Sequence, residues 1–165
     1  MPELKTDFRW KLDNNLFIQS GTVTRPDGRR AEIELIFRKV ETSNAYPDNP
    51  ALGTWKILSS VATMPDGQTL VENAPGVQMM KIITPTHWMA ISTRNGKFAN
   101  AVGGTYSIRD GKLFPKRAYS AQPVEDRRHI VLDLQRQGNK LIFNGTVTTP
   151  DNKTFTRKDV AELME

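Results

Sequence analysis

Side chains able to carry proton or group-transfer chemistry are scarce in this chain. Cysteine is absent, and the imidazoles number two, His87 and His129. Disulfides, thiolate nucleophiles and cysteine-held zinc or iron–sulfur centres are thereby removed, and a histidine-rich metal site has too few ligands. No Ser-His-Asp arrangement and no paired acids stand out by spacing; Glu125, Asp126, Asp133 and Glu162 are ordinary carboxylates. Gly103-Gly104 lacks both the Gly-x-Gly-x-x-Gly spacing and the following helix of a phosphate loop, and reads as a strand start or bulge. What the sequence does concentrate is soft apolar surface with a few hydroxyls: Met79, Met80 and Met89, Trp55 and Trp88, Tyr106 and Tyr119. Such residues suit a deformable apolar pocket whose few polar groups orient a ligand. Each also has a plainer role, as core filler or as a buried tyrosine bonded to backbone.

The elements that would position these residues are short alternating runs punctuated by turns, the pattern of antiparallel sheet. Phe8, Trp10 and Leu12 alternate with Arg9 and Lys11, and Asn14-Asn15 reads as a tight turn. Leu16 to Thr24, Ile33 to Val40, Thr54 to Met64, Val77 to Thr84, His87 to Thr93, Gly104 to Ile108, Leu113 to Ser120, Ile130 to Arg136, Leu141 to Thr149 and Thr154 to Glu162 follow. Turns fall at Pro26-Asp27-Gly28, Pro65-Asp66-Gly67, Asn95-Gly96, Asp110-Gly111, Gly138-Asn139 and Pro150-Asp151-Asn152. This spacing predicts an all-β sandwich or barrel of about eight to eleven strands. Helix is expected only in short pieces, over residues 121–127 and in the last turn, 161–164. At 165 residues the chain has length for one domain with at most a small second one. Residues 42–50 hold two prolines and no periodicity, which marks a linker between residues 1–41 and 51–165.

Part of the chain repeats. Gly21-Thr22-Val23-Thr24 returns as Gly145-Thr146-Val147-Thr148, followed by Pro26-Asp27-Gly28 against Pro150-Asp151-Asn152. Without gaps, Phe8, Trp10, Asn15 and Ile18 fall opposite Leu132, Leu134, Asn139 and Ile142. Residues 7–40 therefore read as a second copy of the last three strands, residues 130–162. A piece of two or three strands is marginal alone, so it must join a sheet or pair with another chain. A duplicated tail at the start also leaves room for an upstream half of a longer protein.

Leu52-Gly53-Thr54-Trp55-Lys56-Ile57-Leu58-Ser59, then Lys81 to Trp88, then Gly103-Gly104-Thr105-Tyr106-Ser107 resemble the bacterial lipocalin-like domain family. The Gly-x-Trp at Gly53–Trp55 matches the lipocalin signature. The resemblance covers residues 51–162, and residues 7–41 resemble the closing strands of such a domain. It implies an antiparallel up-and-down β-barrel of the calycin type with a ligand cavity. It implies no reaction. It also implies that Gly53 and Trp55 plug the closed end, with a basic residue of the last strand over the indole; Arg157 is the residue expected there. Where family members carry Tyr-Thr-Glu on the strand after Gly104-Thr105-Tyr106, this chain has Phe114-Pro115-Lys116, which changes what polar ligand the strand can hold.

Strand parity then gives an expected lining. Ile57, Ser59 and Val61 share parity with Trp55, and Trp88 faces inward with Ala90, leaving His87 at the rim. The expected ligand-binding set is Trp55, Ile57, Ser59, Met80, Ile82, Trp88, Ala90, Tyr106 and Tyr119. Function is expected to be the binding of a small, mostly apolar ligand, without catalysis, cofactor or metal. The alternatives are an interaction domain forming a homodimer through residues 7–40, and a barrel isomerase or cyclase using Tyr106, Tyr119 or His87. The net charge of +5 comes from scattered pairs such as Arg29-Arg30, Lys116-Arg117 and Arg127-Arg128, several with acidic neighbours, so a nucleic-acid surface is not expected. No apolar run approaches the roughly 20 residues of a membrane span. The compartment is left open: cytoplasmic is expected on the sequence as given, and periplasmic or extracytoplasmic if a signal peptide has been removed.

Overall fold

A computed structural model describes residues 5–39, 45–121 and 128–164. The chain divides into two compact units, residues 1–43 and 44–165. Among the described residues every regular element is a strand.

The first unit is a three-stranded antiparallel sheet, β1 (Lys5–Asp13), β2 (Leu16–Thr24) and β3 (Arg30–Arg38), in that spatial order. The second unit contains β4 (Gly53–Thr63), β5 (Thr69–Val71), β6 (Val77–Ile83), β7 (His87–Arg94), β8 (Lys97–Arg109), β9 (Lys112–Ser120), β10 (His129–Gln137), β11 (Lys140–Thr148) and β12 (Thr154–Leu163). Each of β6 to β12 pairs with the next, β6 pairs with β4, and β12 closes on β4. The result is the expected all-β architecture, a closed eight-stranded antiparallel up-and-down barrel of lipocalin-like form, with the short β5 attached to β4.

Turn chemistry places the hairpins. Asn14 and Asn15, Asn95 and Gly96, and Asp110 and Gly111 all take positive φ, as tight hairpin turns demand. The last turn of the chain is not helical: β12 runs on to Leu163, which pairs with Trp55, because closing the barrel satisfies its backbone. The other expected helix, residues 121–127, lies almost wholly outside the described residues. Residues 45–50, which read as linker, are held on the barrel: Tyr46 N–H donates to Pro85 O, and Asn49 is buried.

The first unit reproduces the last three strands of the barrel in detail. Lys5 opposite Thr24 corresponds to His129 opposite Thr148, and Leu16 opposite Arg38 to Lys140 opposite Glu162. Gly21 and Gly145 hold the same place: a Cβ on either would stand 1.9 Å from a carbonyl oxygen of the preceding strand, Asp7 or Val131. Even the turn ion pairs correspond, Arg29 with Asp27 and Lys153 with Asp151.

Two bulges decide which way side chains point. Leu58 is the extra residue where β4 meets β12, between Ile57 opposite Ala161 and Ser59 opposite Val160. Ala118 is the extra residue where β9 meets β8, between Arg117 opposite Gly104 and Tyr119 opposite Gly103. One extra residue reverses the alternation beyond it.

Candidate functional site in the barrel interior

One end of the barrel is solid. Trp55 is fully buried and its Nε1–H donates to Ala51 O at 2.7 Å. Gly53 takes φ +131°, and a Cβ there would stand 2.9 Å from Leu163 and 3.6 Å from the Trp55 nitrogen, so only glycine lets β4 enter beside the indole. Ile57, Leu141 and Ala161 belong to the same buried core as Trp55, and Leu134 and Leu163 pack against that core. Tyr106 stacks on Tyr46 with centroids 5.5 Å apart, donates its hydroxyl to Thr84 O at 2.6 Å and accepts from Asn49 Nδ2 at 3.1 Å. Burial pushes that hydroxyl's pKa up. With both partners taken, Tyr106 ties the 45–50 segment to the barrel.

The other half encloses a cavity of about 380 Å³. It lies beyond the point where two seams stop pairing. β4 and β6 pair only from Gly53 opposite Ile83 to Lys56 opposite Met80, and β9 meets β10 only at Leu113–Leu132 and Lys112–Asp133. Its apolar wall includes Met79, Ile83, Trp88, Val102, Ile130, Leu132, Phe143, Val147 and Phe155, with Ala90 between. Trp88 is oriented by its Nε1–H donating to Thr105 O at 3.0 Å.

The polar wall is an ionic group that hairpin and barrel build together. Asp159, 1% exposed, accepts from Lys81 Nζ at 2.5 Å, Ser60 Oγ at 2.7 Å and Arg157 Nε at 3.0 Å. Arg157 also pairs with Glu72 at 2.7 Å and donates to Ser60 Oγ at 3.0 Å. Glu72 reaches the group because Asn73 clamps the bulge, accepting from Ser60 N–H and donating to Leu58 O. Lys81 stands 4.2 Å over the Phe143 ring. Burial pushes the Asp159 carboxyl up, but Lys81, Arg157 and the hydrogen bonds from Lys81 and Ser60 outweigh it and hold its pKa below the usual value. Burial also lowers the Lys81 ammonium pKa, against the pull of Asp159. Asn100 faces the cavity too, and among the described residues its buried Oδ1 has no hydrogen-bond partner.

Several expected positions are corrected by this arrangement. Trp88 and Ala90 do line the cavity, but Trp55, Ile57 and Tyr106 belong to the solid end. Ser59 lies past the Leu58 bulge, so Ser60 and Ala62 take the inward places that parity gave to Ser59 and Val61. Met80 and Ile82 are out of phase: on β6 the lining residues are Met79, Lys81 and Ile83, because Lys81 opposite Ala90 turns inward to meet Asp159. Tyr119 is 67% exposed, thrown outward by the Ala118 bulge, and borders an external groove of about 340 Å³ with Ile82 and Met89. Arg157 does not cover Trp55; Arg136 of β10 does, with its guanidinium carbon 5.5 Å from the ring, while Arg157 joins the ionic group. On β9 Lys116 is exposed, and Pro115 and Arg117 face the cavity. His87 bonds Thr86 Oγ1 through Nδ1 and borders the external groove.

Sequence reasoning missed Lys81, Asp159, Ser60 and Glu72. The parity of β12 held the signal: Phe155 and Ala161 face inward, and Arg157 and Asp159 share their side. No protein-family model and no curated protein matches this chain.

Proposed function

We propose that this protein binds a small, mostly apolar ligand in the barrel cavity, its polar end turned to the Lys81–Asp159–Arg157 group. The observation that carries the reading is the division of the interior: a sealed end of close-packed core, and beside it a cavity with an apolar wall and a fixed ionic wall. A volume of about 380 Å³ falls in the usual range for small-molecule sites, about 300–1,000 Å³. Trp88 and Met79 supply a rigid and an adaptable contact. The ionic group is preorganised by its own hydrogen bonds, so a ligand meets it without reordering side chains. The likeness of the Gly53–Trp55 segment to the lipocalin signature supports the same reading. Native mass spectrometry of the purified protein, followed by solvent extraction, tests it. A retained molecule with an apolar body is expected, and Ala90→Trp, which fills the cavity, is expected to abolish retention. Retention unchanged by Ala90→Trp contradicts the site.

A second reading has its own observation. Lys81 has its pKa lowered by burial and lies against a carboxylate inside an apolar chamber, an environment suited to proton transfer on an apolar substrate. Lys81→Met separates the two: binding alone survives in altered affinity, whereas turnover is lost.

A further inference from the structure

The first unit is a barrel wall without its barrel. Its β1–β3 sheet has the register, turns and close-approach glycine of β10–β12, so the face that matches the barrel interior is known residue by residue. That face carries Trp10, Leu12, Phe17, Leu35 and Phe37. Trp10, Phe17 and Phe37 form a cross-strand ladder, with centroids 6.1 and 5.6 Å apart. Trp10 is 69% and Leu12 73% exposed. An exposed, largely apolar sheet face of this kind, broken by Gln19 between Trp10 and Leu35, marks an interface. Both edges of the sheet, β1 and β3, are unpaired among the described residues.

We infer that two copies of this chain associate through their β1–β3 sheets, burying the Trp10–Phe17–Phe37 face inside a six-stranded barrel closed by β1–β1 and β3–β3 pairing. The occupant is the same sheet of a second copy, not the second copy's barrel. That barrel is already closed by β10–β12, and β1–β3 cannot replace them: Leu35 would stand where Asp159 neutralises Lys81, and an unpaired buried ammonium is strongly unfavourable. The outward positions of β1 carry charges of both signs, acidic at Asp7 and Asp13 and basic at Arg9 and Lys11. An antiparallel β1–β1 pairing centred on Arg9 sets Asp7 against Lys11 of the other copy twice, and Phe8 against Trp10 on the buried face. Only the exposed Arg9 meets its own counterpart, where like charges interact weakly. The inference does not depend on what the barrel cavity holds.

Sedimentation velocity of the full chain over a dilution series tests it. A reversible dimer is expected for the natural sequence, and Trp10→Glu is expected to weaken association by about tenfold or more. A second pair of variants keeps the test independent of sheet stability, since both sites are exposed. Asp7→Lys alone weakens the dimer, and Asp7→Lys with Lys11→Asp restores it. A monomer at every concentration, or a dimer indifferent to Trp10→Glu, overturns the inference; failure of the charge exchange to restore association overturns the β1–β1 pairing.

Discussion

β1–β3 and β10–β12 share one backbone plan and differ in what faces inward. Ile33, Leu35 and Phe37 of β3 correspond to Arg157, Asp159 and Ala161 of β12; Gln19 corresponds to Phe143, and Leu12 to Arg136. The shared features are local. Tight turns and a glycine pressed against a neighbouring carbonyl fix register whatever the side chains are. The differing features answer to neighbours across the interior. β12 closes against β4 and faces Lys81, so it carries the carboxylate and guanidinium of an ionic group. Among the described residues β3 faces no such partner, and its inner face is apolar. Register is thus written in the strand itself, whereas the inner face is written by what the strand meets.

Substitutions at corresponding positions should therefore have unequal effects on the barrel. The largest is expected for Asp159→Ala, which leaves Lys81 without its carboxylate partner in a buried site at a cost of about 3–5 kcal/mol. Leu35→Ala, its counterpart, should leave barrel stability unchanged in denaturant titrations followed by near-UV circular dichroism. Equal losses would show that the two units do not fold separately. Phe143→Ala should cost about 3–5 kcal/mol through the cavity it leaves, while Gln19→Ala should stay within about 0.5 kcal/mol.

A gentler form of the first perturbation is acid. The Asp159 carboxyl has its folded pKa below its ordinary 3.8, so its contribution to stability is complete above that value. It is lost as pH falls through the lower folded value. Asp159→Asn should flatten this acid limb of the stability curve in urea titrations, and an unchanged limb would assign it to other carboxylates. Among the barrel substitutions the smallest loss is expected at Arg136→Leu, which installs the residue of the repeat. Loss of the guanidinium over Trp55 should cost about 0.5–1 kcal/mol at this exposed site.

The architecture was legible in the sequence because turns and alternation are local signals. Asn95-Gly96, Pro26-Asp27-Gly28 and the Gly21–Thr24 repeat each announce their geometry within a few residues. The site was legible only in part. Trp88 and Ala90 were placed correctly by simple alternation, since no bulge interrupts β7 between them. Ser59 lies off the parity of Trp55 because the extra residue Leu58 reverses it, and Tyr119, expected to offer its hydroxyl to a ligand, is turned out past the extra residue Ala118; neither Leu58 nor Ala118 carries a local mark such as proline. On β6 no local signal turns Lys81, rather than Met80 and Ile82, toward the interior. The partner of Lys81, Asp159, is far away in sequence and adjacent only once the barrel closes. The resemblance puts Arg157 over Trp55, whereas its contacts with Glu72 and Asp159 likewise exist only in the closed barrel.

The central claim is that the cavity beside the sealed end takes up a ligand. Its most direct test is a titration of the full chain with an amphiphilic fluorescent probe, repeated with Ala90→Trp to fill the cavity and with Tyr119→Glu to spoil the external groove. The account predicts saturable one-to-one binding, lost in Ala90→Trp and kept in Tyr119→Glu. Binding that survives Ala90→Trp and disappears in Tyr119→Glu would contradict it.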